Sequence, residues 1–127
     1  MVSGQRLPHV DLVEMPDAKV LHYLLSREHP LGRAKAVFFL ARGFTRGAPD
    51  QFRDALRGHA SENDVTAMIQ TDYGTRYRVE GPIHCPDGSR PTVRVIWFVE
   101  TGEATPRLAT AYPLKRPGRI RRAEEDV

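Results

Sequence analysis

A chain of 127 residues has room for one hydrophobic core and not for two, so a single domain is expected over residues 1–113, with a short tail behind it. With 40% hydrophobic and 28% charged residues, and no apolar run near the roughly 20 residues that a bilayer-spanning helix needs, no part of it is expected to enter a membrane. Nineteen basic residues against sixteen acidic ones give a net charge of +3, which permits a polyanionic partner without demanding one.

The segment Met1 to Arg6 lacks the apolar stretch of a secretory signal, and the single cysteine, Cys85, has no internal partner for a disulfide, so a reducing cytoplasm is the expected compartment. Leu7 to Met15 alternates polar and apolar residues between Pro8 and Pro16 and reads as an extended lead-in. Pro16-Asp17 then supplies a stop and a capping carboxylate, and Val20, Leu21, Leu24 and Leu25 recur at helical spacing up to Ser26. A second helix is predicted from Leu31 or Gly32, with Ala34, Val37, Phe38 and Ala41 facing inward and Gly43 as its left-handed stop. A third runs from Pro49 to about His59, with Phe52 and Leu56 inward.

After His59 the period changes to two. Residues 65–70, 75–80, 92–100 and 107–112 are rich in Val, Ile, Thr, Tyr and Trp, which favour a pleated, half-buried surface. Each connection between them contains a glycine suited to a tight reversal: Gly74, Gly88 and Gly102. The expected architecture is therefore α+β, with three N-terminal helices packed on one face of a four-stranded antiparallel meander. Residues 114–127 mix arginines, acidic residues and Pro117-Gly118 without periodicity and read as a basic, disordered tail.

The stretch His29-Pro30-Leu31-Gly32-Arg33-Ala34-Lys35-Ala36 sets a histidine and a lysine at the mouth of the second helix. Arg107-Leu108-Ala109-Thr110-Ala111-Tyr112-Pro113 puts an arginine, a threonine and a tyrosine on the last strand. A proton-exchanging histidine, a cation and a hydroxyl are the residue types that transesterification at a 2′-hydroxyl needs in the absence of a metal. Each also has a structural use in its place: a histidine before Pro30 caps, a helical lysine is solvated, and threonine suits a strand by its branching. N–H groups at the start of the second helix would favour an anion beside His29. For a second proton carrier, Tyr112 and His22 come before His9 and His59.

Arg76, Arg78 and Arg94 alternate with Val79, Val93 and Val95, so they form either a cationic face for RNA backbone or the solvated side of a one-sided sheet. Trp97 and Phe98 point to opposite faces, one to the core and the other free to stack a base. His84 and Cys85 adjoin in a turn but have no further ligands at metal-binding spacing, and there is no phosphate-binding glycine loop; no cofactor is expected.

Taken in order, Lys19-Val20-Leu21-His22-Tyr23-Leu24-Leu25, the His29 motif, Gly43-Phe44, Tyr73-Gly74-Thr75-Arg76-Tyr77, Pro86-Asp87-Gly88, Val95-Ile96-Trp97 and the Arg107 motif resemble a bacterial domain-of-unknown-function family. The resemblance covers residues 7–113. Related sequences lie at the C-termini of contact-dependent and other polymorphic toxins, and those are similar to the barnase, endoribonuclease U, colicin and RelE group of ribonucleases. The resemblance implies a helical part followed by a four-stranded antiparallel sheet, and a metal-independent ribonuclease toxin held by a small antitoxin or immunity protein. It assigns His29 as general base or acid, Lys35 as the stabiliser of the phosphorane and Thr110 as the holder of a non-bridging oxygen, with Arg107 from the same strand motif in the catalytic set and a 2′,3′-cyclic phosphate as product. Lys19, Arg76, Arg94 and Tyr112 would contact the RNA. A non-enzymatic module that engages a partner protein or nucleic acid without cutting is the alternative, separated from catalysis by whether His29, Lys35 and Thr110 converge on one cleft; a phage or mobile-element accessory, marked by a large exposed apolar face without polar convergence, is a third. The oligomeric state is not specified by the sequence.

Overall fold

The computed structural model describes residues 5–114. Three helical segments precede a four-stranded antiparallel sheet of order β1-β2-β3-β4, an α+β arrangement. The lead-in forms a 3₁₀ turn at Val10–Leu12 and then lies along the edge of the last strand. There the Glu14 N–H donates to the Pro106 carbonyl at 2.9 Å, and the Leu108 N–H donates to the Glu14 carbonyl at 2.9 Å.

The first helix, α1, departs from regular geometry. Asp17–Lys19 forms a single α turn that runs on as a π-helical turn over Val20–Leu24, where the Leu25 N–H reaches the Val20 carbonyl at 3.0 Å. The widened turn carries Val20, Leu24 and Leu25 all into the core. Such turns are uncommon and recur at functional sites. Arg53 fixes the entry to α1, donating to the Met15 carbonyl at 2.8 Å and pairing with Asp17.

Helix α2 covers Arg33–Ala41 and α3 covers Pro49–Glu62. The inward face of α2 differs from the predicted one. Gly32, Ala36 and Phe39 are buried, while Ala34, Val37 and Ala41 are exposed and Phe38 is half-buried. Residues 36–41 are apolar all round, so periodicity could not select a face; the large Phe39 ring takes the interior, packing 4.9 Å from Phe52. Gly43 ends the helix as predicted, with φ 106°.

The strands are β1 Val65–Thr71, β2 Gly74–Pro82, β3 Thr92–Glu100 and β4 Arg107–Pro113. Their inner face carries Val79, Val95, Trp97, Leu108 and Ala111 onto the helices. The outer face follows from the register as three cross-strand rows. Ile69, Arg76, Phe98 and Arg107 form the first; Ala67, Arg78, Ile96 and Thr110 the second; Glu80, Arg94 and Tyr112 the third. A bulge between Ile96 and Trp97 in the β3–β4 pairing sets Thr110 opposite Ile96. Pairing continues beyond the predicted strand end, with the Leu114 N–H on the Thr92 carbonyl at 3.0 Å; the rest of the expected tail lies outside the described residues. Among the described residues, no helix is long and apolar enough to cross a membrane.

His59 lies inside α3 rather than at its end, 1% exposed, with Nε2 3.2 Å from the Gly81 carbonyl and 3.3 Å from the Val93 carbonyl. Two acceptors on Nε2 require the proton there. Burial pushes the ring's pKa down against the opposing pull of those carbonyls and of Glu62, so His59 is a neutral core group. Because the unfolded chain binds this proton more readily, stability is fully present above the ordinary histidine pKa and falls as the pH drops below about 6.5, at up to about 1.4 kcal/mol per pH unit. Chemical denaturation at pH 7.5 and pH 5 should show this loss in the native chain and a smaller one in His59→Leu. An equal loss in both would assign it elsewhere.

A candidate active site at the sheet edge

Helices α1 and α2 both pack against β4, and there the first helix brings Tyr23 to the edge of the sheet. Its hydroxyl shares a hydrogen bond with the Thr110 hydroxyl at 3.1 Å, joining residues 87 positions apart. The Lys35 ammonium lies 5.3 Å from the centroid of the Tyr23 ring and 5.9 Å from that of Tyr112. Lys19 approaches the Tyr23 ring at 5.4 Å, and the His29 ring meets it edge-on at 4.9 Å. Three residues predicted from the sequence, His29, Lys35 and Thr110, thus converge on one that was not.

Burial raises the pKa of the Tyr23 phenol, but the hydrogen bond with Thr110 and the nearby ammonium groups of Lys35 and Lys19 outweigh it. The net result is a phenol below the ordinary tyrosine value of 10.0. Two cations and a hydroxyl that favour the phenolate are an arrangement expected where an oxygen must accept a proton.

His29 has a narrower role than the sequence suggests. Its Nδ1 accepts from the Leu31 and Gly32 N–H groups at 3.0 and 3.1 Å, and its carbonyl accepts from the Arg33 N–H at 2.9 Å. The ring therefore carries its proton on Nε2 and presents an N–H. These bonds occupy the Leu31, Gly32 and Arg33 N–H groups at the start of α2, donors expected to favour an anion beside His29.

Gly32 is the piece that lets α2 begin against Tyr23. A Cβ there would lie 2.4 Å from the Tyr23 carbonyl oxygen and 2.8 Å from its Cδ1. Since backbone cannot yield as a side chain does, Gly32→Ala should cost about 1–3 kcal/mol. Thermal unfolding should show a drop of several degrees; an unchanged midpoint would mean that the two elements are not in fixed contact.

The remaining predicted residues divide between this centre and the outer face. Tyr112 accepts from Arg94 Nη1 at 3.2 Å, and Arg94 pairs with Glu80 at 2.6 Å, as does Arg78 at 3.4 Å. Those two arginines share the single negative charge of Glu80, so the trio keeps a net positive charge. Arg107 lies one row away from Thr110 and pairs with Glu14 at 3.3 Å. Arg76 carries no ion pair among the described residues. A groove of about 410 Å³ runs over Thr110, Tyr112, Arg94 and Arg76, and a neighbouring one of about 480 Å³ runs over Lys19, Arg76, Phe98 and Arg107.

His22, the other candidate proton carrier, lines a separate cavity with Arg27 and Arg46 and does not reach Tyr23's hydroxyl cluster. Trp97 is fully buried, and of these two adjacent aromatics it is Phe98 that lies on the outer face. Cys85 is buried and its thiol pKa is raised by that burial, and His84 pairs with Glu62 at 3.2 Å. Among the described residues no three His, Cys, Asp or Glu side chains gather as a metal site. Among the described residues the large exposed apolar side chains are Leu12 on the lead-in, Leu31 ahead of α2, Val37 on α2, Met68 and Ile69 on β1, and Tyr73 on a turn.

An uncharacterised family, the domain of unknown function DUF6883, matches residues 6–115, and the chain belongs to it. No curated protein and no solved structure matches the chain.

Proposed function

We propose that this DUF6883 domain is a metal-independent endoribonuclease that cleaves single-stranded RNA by attack of a 2′-hydroxyl on the adjacent phosphate, and that it serves as the cytoplasmic toxin of a toxin–antitoxin pair. The observation that carries the reading is the meeting of Lys35, Thr110 and His29 on Tyr23, a phenol whose pKa is held down, beside an open cationic groove.

In this reading the Tyr23 phenolate takes the proton of the 2′-hydroxyl, the 2′-oxygen bonds to phosphorus, and the bond from phosphorus to the 5′-oxygen breaks. The leaving 5′-oxygen takes a proton from water while the His29 Nε2–H donates a hydrogen bond to it; the hydroxide so formed removes the proton from Tyr23. Lys35 stabilises the negative charge that grows on the phosphorane. Thr110 acts on Tyr23, donating to the phenolate, rather than holding a phosphate oxygen directly. The products are a 2′,3′-cyclic phosphate and a 5′-hydroxyl.

Two observations favour the alternative, a module that binds nucleic acid or a partner protein without cutting: the His29 Nδ1 is already engaged by the Leu31 and Gly32 N–H groups ahead of α2, and Arg94 and Arg78 both already pair with Glu80. Induced expression in a bacterial host separates the two. Growth arrest with fragmented RNA in wild type, absent in Lys35→Ala and relieved by a small acidic partner, is the expected result. Unimpeded growth with intact RNA at equal protein levels would favour the binding module.

A further inference from the structure

Beside the Tyr23 centre, the first cross-strand row sets Arg76, Phe98 and Arg107 directly side by side across β2, β3 and β4. Phe98 lies over Gly74, where a Cβ would come within 2.8 Å of Cζ, so the absence of a side chain lets the ring settle over the backbone of β2. Tyr73, 78% exposed, stands at the same groove on a turn whose Thr71 hydroxyl accepts from the Tyr73 and Gly74 N–H groups, both at 3.1 Å. A large aromatic held in solvent on a fixed turn has no packing role of its own to explain it.

The cations of this groove are available. Arg76 has no ion pair among the described residues, and the Arg107–Glu14 pair joins two side chains that are each more than half exposed, a weak and screened contact. The groove is also continuous with the Tyr23 centre. Lys19 belongs to both, and Arg76 and Ala109 line this groove and the one over Thr110.

We infer that the groove over Phe98 is a nucleotide subsite for single-stranded RNA, in which the base beside the scissile phosphate stacks on Phe98 and Tyr73 while Arg76 and Arg107 hold the flanking phosphates. The inference rests on RNA being the substrate. Aromatic faces flanked by guanidinium groups match an unpaired nucleotide, because a base within a duplex is already stacked and cannot be engaged this way.

The test uses the full chain and fluorescein-labelled 2′-O-methyl octa-adenylate, which cannot undergo 2′-attack, with binding read by anisotropy at several salt concentrations. Phe98→Ala should weaken binding about tenfold and leave the salt slope unchanged, Tyr73→Ala should weaken it several-fold, and Phe98→Trp should restore it. Arg76→Ala should weaken binding and reduce the salt slope by about one. A duplex of the same length should be insensitive to Phe98→Ala. Tyr73 is exposed, so its variant reports on stacking even if Phe98→Ala were to fold poorly by circular dichroism. Unchanged affinity in the folded aromatic variants, with loss only in Arg76→Ala, would overturn the subsite and leave the RNA reading standing. Failure of the wild-type chain to bind the oligonucleotide would overturn both.

Discussion

Tyr23→Phe should slow RNA cleavage by about 10²–10⁴-fold, the range for loss of a general base, with little change in KM. The substitution removes one oxygen and keeps the ring that His29, Lys19 and Lys35 contact, so the local packing stays in place. It also removes the hydroxyl that Thr110 holds at 3.1 Å. The sign of the pH dependence follows from the lowered phenol pKa: activity requires phenolate, so it rises with pH and levels off below pH 10, earlier than an ordinary tyrosine would allow. Thr110→Val withdraws a hydrogen bond to the phenolate and should move that rising limb to higher pH. A difference titration of tyrosinate absorbance between the native chain and Tyr23→Phe reports the same shift without any substrate. Less than a threefold rate change in a folded Tyr23→Phe protein would remove Tyr23 from the chemistry.

Lys35→Ala should lower kcat by about 10²–10³-fold, the usual loss when one group aimed at developing charge is deleted. Lys35 acts in two ways in this account, on the phosphorane and on Tyr23, so the residual activity should also show its pH limb displaced upward, because a charge that lowers the phenol pKa is gone. Lys35→Arg keeps the charge and should recover part of the rate. A variant that raised KM alone, with kcat and pH profile unchanged, would place Lys35 in general RNA binding instead.

The sheet was legible because its residues alternate: Val79, Val95 and Trp97 fall on one face and Arg76, Arg78 and Arg94 on the other, as period two requires. Glycines at positions 74, 88 and 102 marked the reversals. Helix α2 was legible in extent but not in rotation, since an apolar run with no polar side contains no face for periodicity to choose. His59 was misplaced because the third helix runs on to Glu62, which turns a supposed helix end into an interior position over the sheet. At the site, His29, Lys35 and Thr110 stood out by residue type. Tyr23 did not, for two physical reasons. It sits in a π turn, where i, i+3, i+4 spacing no longer predicts what a side chain faces. Its partner Thr110 is 87 residues away, and only the packing of α1 against β4 brings the two hydroxyls together. The signal available was a tyrosine next to the core residue Leu24 and six residues ahead of His29, which reads as packing until the fold is known.

The most direct measurement is incubation of the purified full chain with single-stranded RNA in excess EDTA, beside Tyr23→Phe, His29→Ala and Lys35→Ala proteins, with both product ends identified. The account predicts cleavage that persists in EDTA, leaves a 2′,3′-cyclic phosphate and a 5′-hydroxyl, and is lost with Tyr23→Phe and Lys35→Ala. Intact RNA with folded wild-type protein, or fragments bearing 3′-hydroxyl ends, would contradict it.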